Sequence, residues 1–291
     1  MEKNRGKPVT ESIKRRFSCR KFSAAAIPEE KLARLQAYAV SQKTGPFGST
    51  LRFDLIAAAP GDLSALKGLG TYGTIQGATA FIVGATDYRG YSLEDYGFAM
   101  EDIILLATEL DLGTCWLGGF FTRSSFSRRI SLAEDEQIPA VTALGLIADP
   151  QKARHTLIRR QVGAFKRLPW EALFFRECFD DPLSPAEAGD FGTALEMVRW
   201  APSASNRQPW RVVKAGRAWH FYLRRTQGYG NNLLARLMNF SDLQRVDMGI
   251  GMCHFVLTLQ EQGIAGHWRI QNPAIQVPDA ATEYCATWSP V

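Results

Sequence analysis

One stretch of this chain is written twice. At a constant offset of 152 residues, Asp95, Gly97, Met100, Leu105, Glu109 and Trp116 recur as Asp247, Gly249, Met252, Leu257, Glu261 and Trp268, six ungapped identities in 22 positions. A repeat at that spacing in 291 residues points to two related halves rather than one undivided core. In each copy a run that is apolar on nearly every face, Asp95 to Leu112 and Asp247 to Ile264, leads into a return strand. A helix apolar all round is a buried helix, so the two copies are expected to pack on each other at the centre.

The flanks extend the parallel. Ile27, Pro28 and Glu29 open an amphipathic helix to Val40, followed by an extended Leu51 to Ala58; Ser184 and Pro185 precede a helix to Trp200, followed by an extended Trp210 to Lys214. Thr79 to Thr86 and Val141 to Ile147 add strands to the first half, and Trp219 to Arg224 pairs back across Ala215, Gly216 and Arg217 in the second. The expected class is α+β: each half a mixed or antiparallel sheet with helices, long buried helices at the seam. The division falls near Asp180, Asp181 and Pro182, giving halves 1–181 and 182–291.

No apolar run reaches membrane-spanning length, since Ile103 to Phe121 is broken by Glu109 and Asp111. Glu2, Lys3, Asn4, Arg5 and Lys7 lead into no apolar stretch, so no membrane association or secretory leader is expected. Five cysteines form no CxxC pair and four histidines show no ligand spacing, which reads as a reduced, cytoplasmic protein without a metal. The net charge of +5 is concentrated in two stretches free of acids: Lys14 to Lys21, and Gln151 to Trp170 with Lys152, Arg154, Arg159, Arg160, Lys166 and Arg167. These are either solvated surface or two arms converging on one anion. Few aromatics interleave with the charges, so a small phosphorylated ligand fits better than a nucleic acid.

Three motifs carry chemistry: Arg15-Arg16-Phe17-Ser18-Cys19-Arg20-Lys21-Phe22, Leu112-Gly113-Thr114-Cys115-Trp116-Leu117-Gly118-Gly119-Phe120, and Trp200-Ala201-Pro202-Ser203-Ala204-Ser205-Asn206-Arg207-Gln208-Pro209-Trp210. Together they resemble the FMN-dependent nitroreductase family: its N-terminal Arg-Arg-Ser-x-Arg signature, the Gly-rich turn after its central helix, and its Ala-Pro-Ser-x-x-Asn-x-Gln-Pro-Trp run. Arg167-Leu168-Pro169-Trp170-Glu171 looks like its basic C-terminal stretch, and the internally duplicated branch is the nearest match.

The residues also suit a flavin mononucleotide chemically. Arg16, Ser18 and Arg167 offer a guanidinium fork, a hydroxyl and a second guanidinium to a phosphate. Gly118 and Gly119 allow close backbone approach to N5 of a flavin ring. Pro202, Ser203, Asn206 and Gln208 form a rigid polar turn able to reach the ring edge and ribityl chain. The resemblance places Arg20 at N1/O2 and adds Arg15, Phe17, Leu117 and Ala204 to the cofactor-binding set. Trp116, Trp200 and Trp210 are expected in the core, and His254 as a satisfied interior histidine rather than a catalytic base.

Two departures matter. Phe17 separates Arg16 from Ser18, leaving the register of Arg15 against Arg16 open, with Arg16 favoured. The second half has no Arg-Arg-Ser (Arg176 to Asp181 is Arg-Glu-Cys-Phe-Asp-Asp) and the first no Pro-Ser-x-x-Asn (Lys43 to Thr50), so each half lacks what the other keeps. The resemblance implies an FMN-dependent oxidoreductase passing electrons from NAD(P)H to a nitroaromatic, quinone or similar small-molecule acceptor by ping-pong hydride transfer through flavin N5. A flavin reductase or a non-catalytic flavin-binding protein is the alternative. It also implies a pseudo-dimer within one chain, monomeric or further dimerised.

Overall fold

Two sheets share one strand order. In the computed structural model, which describes residues 5–119, 121–151, 163, 166–227 and 241–291, the first sheet runs β1 (Leu51–Ala57), β2 (Ala80–Thr86), β4 (Val141–Gly145), β3 (Gly113–Leu117), all antiparallel. The second runs β5 (Phe174–Arg176), β6 (Trp210–Ala215), β7 (Ala218–Arg224), β9 (Thr282–Pro290), β8 (Gly266–Arg269). With β5 set aside, β6-β7-β9-β8 repeats β1-β2-β4-β3, so the duplication extends from the helix and its return strand to the whole sheet. The strand β5 lies before Asp180 in sequence, yet pairs in parallel with β6 on the outer edge of the second sheet.

Six α-helices are described: α1 (Val9–Arg15), α2 (Glu29–Ser41), α3 (Ser92–Glu109), α4 (Arg123–Arg129), α5 (Gly192–Trp200) and α6 (Leu243–Glu261). The architecture is α+β with two pseudo-symmetric halves. The duplicated helices α3 and α6 pack on each other between the sheets. Val9 and Ile13 of α1, Leu105 of α3, Met197 of α5 and Cys253 and Leu257 of α6 form an apolar cluster at the seam. Among the described residues no helix is long and apolar enough to cross a membrane.

Both long helices begin a turn earlier than their aspartates suggest. Asp95 and Asp247, where the duplicated pattern begins, lie inside α3 and α6, and for α6 the cap is Asp242, whose carboxylate accepts from Gln244 N. The helices also end early, at Glu109 and Glu261, each two residues before a left-handed residue, Asp111 (φ 61°) or Gly263 (φ 76°). The helix expected after Pro185 starts only at Gly192. Ser184 and Glu187 exchange capping bonds over a single turn, and Gly189 at φ 55° breaks it.

Candidate functional site

A cavity of about 840 Å³ opens at the seam, with walls from both halves. From the first half come Arg16, Phe17, Ser18 and Arg20, together with Leu117, Gly118 and Gly119; from the second come Pro202, Ser203, Ala204 and Asn206, with Arg167 from the connecting basic stretch. The segment after α1 is extended and runs beside β3, bridging Ser18 to Thr114, with Cys19 N donating to Thr114 O. Cys19 is thereby turned fully inward while its neighbours Ser18 and Arg20 line the cavity, the alternation of an extended chain.

Arg15 does not line the cavity. As the last residue of α1 it pairs with Asp111 and, one helical turn back, with Glu11. Gln208 is buried and also absent from the lining: its Oε1 accepts from Leu168 N at 2.9 Å, and its backbone N donates to Ser203 Oγ at 2.8 Å. Asn206 does line the cavity, but its amide donates to the carbonyls of Gly163 and Lys166 at 2.8 and 3.0 Å and accepts from Arg167 Nη1 at 3.2 Å. These two side chains fasten the basic stretch to the turn. Phe120 and the cations Lys152, Arg154, Arg159 and Arg160 lie outside the described residues.

The turn itself is held in an unusual backbone. Ser205, Asn206 and Gln208 have φ of 51°, 56° and 50°, a left-handed conformation costly for residues with a Cβ. What over-determines it is Asp247 on α6, whose carboxylate oxygens accept from Ala204 N at 3.0 and 3.1 Å. Burial pushes the Asp247 carboxyl well above the ordinary carboxylate range, the Ala204 bond pulling the other way. Its counterpart Asp95 does the same work in the first half, accepting from Phe47 N and Ser49 N at 2.8 and 2.9 Å. The repeated aspartate thus anchors a loop in each half.

The guanidinium groups differ in what they have left to give. Arg16 Nη1 and Arg20 Nε and Nη1 are buried donors with no hydrogen-bond partner among the described residues. Arg167 is more committed, giving Nη1 to Asn206 and Nη2 to the Trp200 carbonyl at 3.2 Å each. Buried orphan donors lining a cavity fit an anionic ligand that accepts from them. Trp116 joins the lining, as do Ile250 of α6, which the sequence assigns only to the buried seam, and Leu243 and Val246, which precede the helix expected from Asp247. Gly118 makes room for one of them, because a Cβ there would strike the end of the Leu243 side chain. Trp200, expected in the core, is 39% exposed and lines the cavity, because it closes α5 at the surface; Trp210 is fully buried.

The sequence model of the family described as "Putative TM nitroreductase" matches residues 8–259. The chain belongs to this nitroreductase family. Among solved structures, one described as a putative nitroreductase from Thermotoga maritima is 19% identical, covers 100% of this chain and 96% of its own, and has a TM-score of 0.61. That similarity shows a common fold. A putative nitroreductase in complex with FMN from Desulfovibrio desulfuricans is 23% identical and covers 53% of this chain and 95% of its own, at a TM-score of 0.40. A nitroreductase family protein from Clostridium difficile, 20% identical, covers 51% of this chain and 93% of its own, at 0.38. No curated protein matches the sequence.

In this chain the mirror position of the cavity is filled. Ala204, held by Asp247, has as its counterpart Phe47, held by Asp95. The Phe47 ring lies 5.0 Å from Tyr91 and 6.1 Å from Trp268, the latter the repeat of Trp116. Arg245 crosses the seam there to the buried Glu94 at 2.7 Å. The two halves share a plan, and one of the two pseudo-equivalent positions is packed shut.

Proposed function

We propose that this nitroreductase is an FMN-dependent oxidoreductase that binds its flavin in the seam cavity, takes electrons from NAD(P)H and passes them to a nitroaromatic, quinone or similar acceptor. The observation that carries the reading is the set of unspent guanidinium donors on Arg16 and Arg20 within a cavity built from both halves. FMN supplies the hydride chemistry when bound; the protein binds, orients and tunes it. Arg16 and Ser18 hold the phosphate, with Arg167 adding charge behind them. Arg20 faces the ring edge, where a fixed cation stabilises negative charge gained on reduction. Pro202, Ser203 and Ala204 shape the opposite wall, on the turn that Asp247 fixes.

The site draws on residues of both 1–181 and 182–291, so one chain completes it and one FMN per chain is expected. The protein should purify yellow, or turn yellow with FMN, and bind riboflavin, which lacks the phosphate, far less well. Anaerobic NADH or NADPH should bleach the bound flavin, and an added quinone should restore its colour. Equal affinity for riboflavin and FMN would remove the phosphate from the basic wall, and a flavin that no nicotinamide bleaches would leave a binding protein without turnover.

A further inference from the structure

Glu101 of α3 is fully buried beside two residues of the cavity lining. Its Oε2 accepts from Trp116 Nε1 at 2.7 Å, and its Oε1 lies 3.5 Å from Arg16 Nε. A bare carboxylate in that place opposes an anion site. It offsets the charge of Arg16 and repels what Arg16 is there to attract, and in a buried setting that opposition is weakly screened.

His254 of α6, from the other half, meets the same carboxylate. Its Nε2 lies 3.0 Å from Glu101 Oε1, and its Nδ1 lies 2.9 Å from the Met197 carbonyl oxygen on α5. A carbonyl only accepts, so Nδ1 carries a hydrogen. The contact to Glu101 then needs a second one, either on Nε2, facing a carboxylate, or on the Glu101 oxygen, facing a neutral ring. The sum is the same in both arrangements: His254 and Glu101 together carry no net charge. Glu101 can therefore hold the Trp116 indole and abut Arg16 without consuming the guanidinium's charge.

We propose that His254 is a charge-balancing, positioning residue that keeps Arg16 electrostatically available to the FMN phosphate across the seam, an inference that rests on the FMN reading above. It also gives the buried histidine a purpose that packing alone does not require.

The test measures dissociation constants for FMN and for riboflavin by flavin fluorescence in four variants. His254→Gln keeps a donor toward Glu101 but no charge, and should weaken FMN by about tenfold or more while leaving riboflavin unchanged. Glu101→Gln keeps the acceptor for Trp116 without a charge and should bind FMN as well as the parent or better. The double variant Glu101→Gln/His254→Gln should recover most of the lost FMN affinity, because removing the carboxylate removes the need for its balance. A double variant no better than His254→Gln, or a parallel fall in riboflavin affinity, overturns the proposal in favour of a packing role. If His254→Gln does not fold, Glu101→Gln decides alone: weakened FMN with unchanged riboflavin refutes charge balance, and FMN held as tightly or more tightly supports it. Arg16→Ala is the separate control, since FMN affinity unaffected by its loss would overturn the phosphate assignment itself.

Discussion

Gly97 of α3 and Gly249 of α6 face each other's helix where the two backbones come close. A Cβ on Gly97 would overlap the Val246 carbonyl, and a Cβ on Gly249 would overlap the Glu94 carbonyl. Glu94 and Val246 are themselves 152 residues apart, so the two clashes are one contact seen from both sides of a pseudo-twofold axis. Neither overlap can be relieved by turning a side chain, because backbone lies on the other side. Gly249→Ala should therefore cost about 1–3 kcal/mol or more and weaken flavin binding, since the cavity walls come from both helices. Gly251→Ala is the control: its Cβ would meet Trp210 at 3.4 Å, an ordinary contact, and alanine favours the helix. Equal melting temperatures for the two variants would show that the helices do not depend on this approach.

The register left open by Phe17 separates on geometry. Arg15 is engaged with Asp111 and Glu11, whereas Arg16 lines the cavity with a buried unspent donor. A charge-assisted bond to phosphate contributes about 1.5–3 kcal/mol, so Arg16→Ala should weaken FMN roughly ten- to hundredfold and Arg15→Ala hardly at all. Arg167→Ala should fall between, since its guanidinium already serves Asn206 and the Trp200 carbonyl. Titration of the apoproteins with FMN measures all three, and Arg15→Ala as damaging as Arg16→Ala would reverse the assignment.

Much of this was legible because the duplicated helix is a pattern in sequence before it is a contact in space. The identities at Gly97 and Gly249 mark a close approach of the two helix backbones, and those at Asp95 and Asp247 mark the two loop anchors. The repeat did not mark the helix starts: its identities begin at Asp95 and Asp247, whereas the helices begin a turn earlier, at Ser92 and Leu243, where the two copies no longer match. The polar turn was recognisable as a motif, but not that Asn206 and Gln208 spend their amides on the basic stretch, which depends on a segment some 40 residues away in sequence. The crossing of β5 to the second sheet left no local signal at all, because three residues, Phe174 to Arg176, carry too little periodicity to choose a partner.

The raised carboxyl of Asp247 gives stability a definite pH dependence. Its folded-state value lies above its unfolded one because burial disfavours the charged form, with nearby Asp242 adding to the effect. The folded state then holds the proton more tightly, so stability is greatest below the ordinary carboxylate range and declines as pH rises through the folded value. Asp247→Asn keeps an acceptor for Ala204 N and cannot ionise. Its stability relative to the parent should therefore be near zero at acid pH and grow in the variant's favour toward neutrality, measured by urea denaturation across a pH series. A difference that stays flat, or that favours the parent as pH rises, would mean Asp247 is not held above its ordinary range.

The contrast between Ala204 and Phe47 gives the reciprocal test of why one position is open and its mirror closed. Each gives a backbone N–H to the repeated aspartate, one beneath a methyl group and the other beneath an aromatic ring. Ala204→Phe should place a ring in the cavity where Phe47 fills its mirror, abolishing FMN binding while the protein still folds, since the space it enters is open. Phe47→Ala removes an aromatic packed against Tyr91 and Trp268 and should cost roughly 2–3 kcal/mol, less than a fully buried phenylalanine because the ring is only partly covered. It should not create a second flavin site: Glu94, the counterpart of Val246, is a buried acid already committed to Arg245. Flavin released on denaturation, set against protein concentration, should remain at about one per chain for Phe47→Ala and fall to none for Ala204→Phe. Two flavins per chain in the former would mean that the side chain alone, and not the charge around it, had closed the mirror position.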